Sequence, residues 1–491
     1  MDAQTRSNLR IGMADGIMAT PWTILSLPAG FIISALLNLH YGIRPGMFGL
    51  IVSMPAWANA SQILLMPFLA RFFTARDMAL SMSWLNLGLW GMMAAVLPFL
   101  PEDNRVAAGQ IFLIFFILTS ASSSFLGLGW LAWIRSWVPQ DIRGAYFGRR
   151  NRYIALVTLG FLFLSMALLE WFPDDVTTYQ IILIVAVTLR FGSVLVQHRV
   201  VDEKSNHEPL VQGAWWSQLR LTLTHPGFIA FILFNAWVNF WINLTGPFST
   251  VYVYEQLHLS PGEFAVFNIL ATITGAIAMP LWGKFIDRHG CVPAIGLGLL
   301  LWQLQNYLWA FLTPANTWLL YPMWLWGGST ASAFLLGSFN LLLKIIPPGA
   351  KTTGISLNLA ATSIAAGSAP IIAGTILDLA QDRGLAEVSV YRAGFILGPS
   401  AILISLLLLK RIREPEADPR YSTVWGAMRM VRQSLQSVGL AALANTTLVG
   451  RRRSPEHSDD DHAPASSAPD SDTGSSTPQT GENPPSPENK E

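Results

Sequence analysis

The chain has 491 residues, 52% of them apolar and 12% charged, with a mean hydropathy of +0.41. Ordinary soluble domains carry about 25% charged residues, so a soluble globule of this size is excluded. A single cysteine, Cys291, rules out an internal disulfide and a cysteine-based metal cluster, and no cofactor is expected. The net charge is +1, but residues 454–491 hold nine acids against Lys490 alone, so the rest carries about nine excess positive charges.

A hydrocarbon core about 30 Å thick takes roughly 20 apolar residues as helix. Twelve such runs follow one another near residues 15–40, 45–69, 78–99, 108–134, 154–172, 178–198, 227–252, 265–282, 291–311, 319–343, 354–377 and 394–409. They are too long and continuous for the short alternating strands of a barrel, so the expected class is an all-α polytopic membrane protein. Basic residues are retained on the cytoplasmic side. With the N-terminus inside, the cytoplasmic breaks hold twenty of them and the outer breaks only Arg44, Arg105, Arg383 and Arg392. Both termini are therefore expected in the cytoplasm, with the protein in the plasma (inner) membrane. The first apolar run is too long for the core of a cleavable signal.

The longest internal polar break divides the spans six and six. The expected units are a first bundle over 1–198, a cytoplasmic loop over 199–226, a second bundle over 227–412, an amphipathic inner-surface helix within 413–450, and a disordered acidic Ser/Pro tail over 451–491. The tail's partner is left open.

The halves echo each other. Met66-Pro67-Phe68-Leu69-Ala70-Arg71-Phe72 aligns with Met279-Pro280-Leu281-Trp282-Gly283-Lys284-Phe285, and VPQDIRG, with Pro139 and Arg143, aligns with IPPGAKT, with Pro347 and Lys351. Both members of each pair fall on the cytoplasmic side, so the halves are parallel, related by an axis along the membrane normal. The segment GKFIDRHG, Gly283 to Gly290, resembles the cytoplasmic signature G-x-x-x-D-R-x-G of the major facilitator transporters; in the first half Ala70 and Thr74 replace its glycine and aspartate. The resemblance implies alternating access between two six-helix bundles, with Arg71, Arg143, Gly283, Lys284, Asp287, Arg288, Gly290 and Lys351 at the gate. It also implies a midplane cavity lined mostly by spans one, four, seven and ten.

Polar residues in those spans are the binding candidates. In span seven NAWVNFWIN places Asn235, Asn239 and Asn243 at i, i+4 spacing, facing either a wet cavity or partner helices. Span one offers Trp22 and Ser26, span two Asn59 and Gln62, span four Ser123, and span ten Trp326 and Asn340; Gln303, Gln305 and Asn306 add amides in span nine. Amides and indoles without fixed charge suit a neutral hydroxylated solute, a sugar or glycoside first. Asp15 and Arg190 are the coupling candidates because charge within a span is a functional signal. Asp15 is either a proton or cation site or a carboxylate complementing a helix N-terminus, and Arg190 either pairs with a carboxylate or snorkels.

Other classes fit less well. Span four lacks an arginine and span five a Gly-Pro stretch, which disfavours drug and proton antiport of the family's usual type; acids missing from span two leave sodium coupling poorly supported. Histidines sit in breaks or the tail, without H-E-x-x-H or G-x-S-x-G, so no enzyme is expected. Efflux of amphipathic compounds and a transporter-like sensor or scaffold remain as alternatives. Nucleic acid is not an expected partner; the lipid bilayer and a small solute are.

Overall fold

A computed structural model describes residues 3–69, 72–139, 141–172, 175–201, 215–347, 350–412 and 414. The amphipathic-helix segment, the acidic tail and most of the inter-bundle loop lie outside the described residues. The first half comprises α1 (Ala3–Leu25), α2 (Phe31–Ala35) continued by a π-turn over Leu36–His40, α3 (Pro45–Leu69), α4 (Ala75–Val96), α5 (Arg105–Trp137), α6 (Arg143–Trp171) and α7 (Val176–Gln197). After α8 (Trp215–Leu223), which belongs to the inter-bundle segment, the second half comprises α9 (Pro226–Glu255), α10 (Pro261–His289), α11 (Cys291–Asn306) with a 3₁₀ turn to Phe311, α12 (Leu320–Ile345), α13 (Lys351–Asp382) and α14 (Glu387–Leu409). Eight of the described helices are each long and apolar enough to cross a membrane.

Helix pairing repeats between the halves. In the first, α1 packs on α7, α4 on α5 and α3 on α5; in the second, α9 packs on α14, α11 on α12 and α10 on α12. The same pairings in the same chain order make this an all-α membrane fold of two parallel helical halves. The halves meet along α3 with α13 and α6 with α10. The α3–α13 seam is tight because it is built on glycine: a Cβ on Gly49 would collide with the Pro370 carbonyl and one on Gly374 with the Pro45 carbonyl.

Two expectations about helix limits are corrected. The first span is broken at Ser26–Gly30, where Pro28 removes a backbone donor, and its first helix begins at Ala3 rather than near residue 15. Asp15 is thus about three turns into α1, and complementing a helix N-terminus does not explain it. The helix of the fifth span likewise starts at Arg143, so Arg149, Arg150 and Arg152, read as residues of a break, are helical. A run of arginines lowers hydropathy without lowering helix propensity, which hid the first turns of α6.

The two ends of the bundle differ. One end carries Arg10, the start of α6, and the end of α10 with Gly290; we call it the basic end, and the opposite one the far end. At the far end both halves share one apolar core, in which Phe31, Ile32 and Phe48 join Phe248, Tyr254 and Phe264. Near the basic end the halves have separate clusters, two in the first half, around Trp133 and around Ile134, and one in the second, around Phe228 and Ile295. Polar pins reinforce the far end. Arg44 Nη2 donates to Asp382 Oδ1 at 2.6 Å, Tyr254 Oη to the Phe31 carbonyl at 3.0 Å, and Ser260 Oγ to Glu170 Oε2 at 3.0 Å. The hydrogen bond to Asp382, with Asp378 beside it, raises the Arg44 guanidinium above its ordinary value. Behind this pin Tyr41 donates to the Leu97 carbonyl at 3.0 Å, and burial, helped by the charge of Glu102, pushes its hydroxyl up to about 12.

Candidate functional site

Asp15 lies at the centre of a buried polar cluster in the first half, 4% exposed. Its Oδ1 accepts from Ser193 Oγ at 2.7 Å and Gln197 Nε2 at 2.8 Å, and its Oδ2 from Trp130 Nε1 at 3.2 Å. Arg190, 1% exposed, reaches within 4.0 Å of Oδ1. Its guanidinium donates to Ser193 Oγ at 2.8 Å and Ser83 Oγ at 3.0 Å, and lies 4.5 Å over the ring of Trp22. From α6, Arg150 comes within 4.0 Å of Oδ2, donates to the Gly12 carbonyl at 3.2 Å, and lies 4.7 Å over Trp130. Isolated charge at this depth is costly, so one carboxylate between two guanidiniums, each resting on an indole, is a compensated arrangement.

Two glycines make it possible. A Cβ on Gly12 would meet Tyr146 Oη and Trp137, and one on Gly16 would occupy the place of the Arg150 guanidinium. Asp15 and Arg190, the two coupling candidates, are thus brought together, and Trp22 serves as the platform for Arg190. Arg150, Trp130, Ser193, Gln197 and Ser83 were not singled out from sequence. The signal available was the pair Gly12 and Gly16 flanking an acid, which marks a close helix approach.

Most of the other binding candidates engage neighbouring helices or their own backbone. Gln62 donates to the Ser124 carbonyl at 3.1 Å and to Asn59 Oδ1 at 3.1 Å, tying α3 to α5. Ser123 accepts from Asn86 on α4 at 2.9 Å. Ser26 and Asn340 donate to the Trp22 and Leu336 carbonyls one turn back, at 2.8 and 3.0 Å. In the asparagine stripe, Asn235 donates across to Asn358 Oδ1 on α13 at 3.0 Å. Asn239 and Asn243 each donate at 2.8 Å to the carbonyl four residues earlier. Trp326 donates to the Leu301 carbonyl at 3.0 Å and is 48% exposed.

The gate candidates are distributed along the basic end. Arg71 lies outside the described residues, and Lys351 opens α13. Arg143 donates to the carbonyls of Arg135 and Val138, bracing its own turn. Gly283, Lys284, Asp287 and Arg288 continue α10 as helix, the three charged ones exposed, and Gly290 turns the chain at φ 92°. The N-terminus of α11 is capped by a residue sequence reasoning did not name. Glu414 Oε2 accepts from the backbone N–H of Cys291 at 2.6 Å and of Val292 at 3.1 Å, while its Oε1 meets Lys344 Nζ at 2.7 Å. In the first half the matching helix α4 is capped by its own Thr74, which accepts from the Asp77 N–H at 3.1 Å. Thr74 stands where the signature has its aspartate, and a hydroxyl suffices there as a cap.

In the second half, α9, α10, α11, α12 and α14 line a partly open cavity of about 270 Å³. Trp302, Trp309 and Trp324 line it together with Gln303, Gln305 and Asn306, and no charged side chain does. Trp326, the candidate of span ten, does not line it, whereas Trp324, two residues earlier and about 200° round the same helix, does. Among the described residues no group of three His, Cys, Asp or Glu is placed to hold a metal ion.

Comparison with known proteins agrees with this architecture. A family model of the Major Facilitator Superfamily matches residues 229–450. Multidrug resistance protein 1 of Bacillus subtilis (strain 168) is 26% identical over 176 residues, which is 35% of this chain and 42% of that relative. The match thus spans less than half of the relative's length. Among solved structures, a variant of the nucleoside transporter NupG gives a TM-score of 0.64 at 12% identity over 83% of this chain and 100% of that one. A bacterial homolog of the human lysosomal transporter Spinster, inward-facing and unoccupied, gives 0.60 at 14% identity over 84% and 98%. The xylose transporter XylE from E. coli, partially occluded and inward open, gives 0.58 at 12% identity over 85% and 100%. At these identities the likeness is one of fold.

Proposed function

We propose that this chain, which belongs to the Major Facilitator Superfamily, is a secondary transporter that moves a neutral polar solute, such as a sugar or glycoside, by alternating access. The observation that carries the reading is the difference between the two ends: a shared core and polar pins close the far end, while each half keeps a core of its own at the basic end. A carrier caught open toward one side has this asymmetry, since its halves rock about a seam and exchange contacts at their ends. The excess of Lys and Arg at the basic end supports placing it, with both termini, in the cytoplasm of a cell whose inner membrane holds the protein.

Asp15 is the residue proposed to take up the coupling proton or cation, because it lies deep in α1 between two arginines and its protonation would change which of them it holds. The solute class is supported by the uncharged character of the candidate amides and indoles. A second reading, export of amphipathic compounds, draws support from the similarity to a multidrug resistance protein. Uptake of labelled sugars and lipophilic compounds into proteoliposomes, with and without a pH gradient, tests both. Gradient-driven accumulation of a sugar is expected, and gradient-independent equilibration of every compound would overturn the coupled reading.

A further inference from the structure

We propose that the cavity inside the second half is a binding site of its own for a flat, uncharged heteroaromatic molecule that bears hydrogen-bond acceptors and few donors. It is lined by helices of that half alone and is partly open, and a ligand held there goes beyond the transport reading. Its volume of about 270 Å³ is near the lower end of small-molecule pockets, which begin at about 300 Å³. That is room for one or two fused rings.

The polar groups decide the class. Gln303 is 1% exposed, and its Nε2 is buried with no partner. Its carbonyl is already engaged, accepting from Asn306 Nδ2 at 3.0 Å, so what the side chain offers is a donor. Trp324 Nε1 is likewise buried and unpaired. The hydroxyls on the α9 wall have spent their protons on their own helix: Thr245 donates to the Trp241 carbonyl at 3.2 Å and Ser249 to the Gly246 carbonyl at 2.6 Å. A buried donor without an acceptor costs about 1–3 kcal/mol, and two of the residues that line this uncharged cavity each carry one. An aromatic ring with carbonyl or ring-nitrogen acceptors satisfies the donors at its edge and covers the indoles with its faces. A polyol brings a donor with each hydroxyl and matches this wall less well.

Glycine keeps the space open. A Cβ on Gly327 would point at Gln305 Oε1, 3.3 Å away, and at Trp302 Nε1, 3.9 Å away, so a larger side chain there fills the cavity. Ala331, one turn on, also lines it.

Equilibrium binding of labelled caffeine to the full chain in detergent tests the proposal, caffeine being flat, uncharged and without a hydrogen-bond donor. One saturable site is expected, with Gly327→Leu abolishing it and the near-isosteric Gln303→Leu weakening it about two- to tenfold, the worth of one hydrogen bond. Should Gly327→Leu melt early, Ala331→Leu fills the same space, and Gln303→Leu decides alone. Absence of saturable binding up to about 10 mM, or binding indifferent to these substitutions, overturns the site and leaves a water-filled cavity. Displacement of caffeine by methyl β-glucoside that Gln303→Leu abolishes would overturn the class of ligand. None of these outcomes bears on solute flux, so this proposal and the transport reading fail separately.

Discussion

Arg190 and Asp15 approach to 4.0 Å without a direct hydrogen bond, and Ser193 joins them, accepting from the guanidinium at 2.8 Å and donating to the carboxylate at 2.7 Å. The charges are therefore matched through a neutral relay that either can leave. Asp15→Leu strands Arg190 in a site where it is 1% exposed, and an uncompensated buried charge costs about 3–5 kcal/mol. A marked fall in melting temperature is expected. Asp15→Leu combined with Arg190→Leu should recover much of it. If the double variant melts as low as the single one, the two charges are not a stabilising unit.

Glu414→Ala should destabilise the basic end of the second half, since it removes the cap of α11 and the partner of Lys344 together. Loss of such a cap costs about 0.5–2 kcal/mol. Glu414→Gln keeps an acceptor for the Cys291 and Val292 N–H groups and should lie between. Hydrogen exchange at the first turn of α11 reads the cap directly. Equal protection in wild type and Glu414→Ala would dismiss it.

Gly290→Ala should be costly for two reasons at one site. The residue holds φ 92°, and its new Cβ would sit 2.8 Å from Glu414 Oε2. Left-handed backbone costs a non-glycine residue about 1–2 kcal/mol before any clash. In the Glu414→Ala background the clash is gone and only the backbone part should remain; additive losses in the double variant would show that the close approach has no energetic effect.

Arg44→Cys with Asp382→Cys offers a lock on the far end. The chain's own cysteine, Cys291, is buried, so a short bismaleimide should join the two introduced thiols with little background. Bridging the far end shut is expected to stop flux while each single variant retains it. Transport that continues through a quantitatively bridged protein would show that the halves do not part there.

Asn235→Ala should lower the apo melting temperature, because it leaves Asn358 unpaired at about 1–3 kcal/mol. Asn243→Ala removes a donor only from its own helix backbone and should be milder. The reverse order, measured by thermal melts, would argue that the stripe's chemistry is directed at solute.

The apolar runs and the basic bias were readable in the chain because bilayer thickness and charge retention act on local composition. Interior charge needed the fold. Asp15 and Arg190 are each visible as charges in apolar runs, but what they touch is fixed by α1, α6 and α7 meeting at Gly12 and Gly16. The Glu414 cap joins residues 123 apart in sequence, and no local pattern marks it. In the asparagine stripe the spacing was plain, while the bond partner, Asn358, sits on another helix. Trp324 and Trp326 differ by two positions on one helix, and rotation about an axis unknown from sequence decides which of them faces inward.

The shared core at the far end also sets how that end responds to temperature. Parting it exposes phenylalanine, isoleucine and tyrosine side chains that the two halves hold in common, and the cohesion of such surface weakens on cooling. In the proposed cycle the basic end would close and open mainly among charged and capped groups, whose hydration follows a different law. Chilling should consequently ease one door more than the other, so that the balance of the two states drifts with temperature even where no solute or gradient is present.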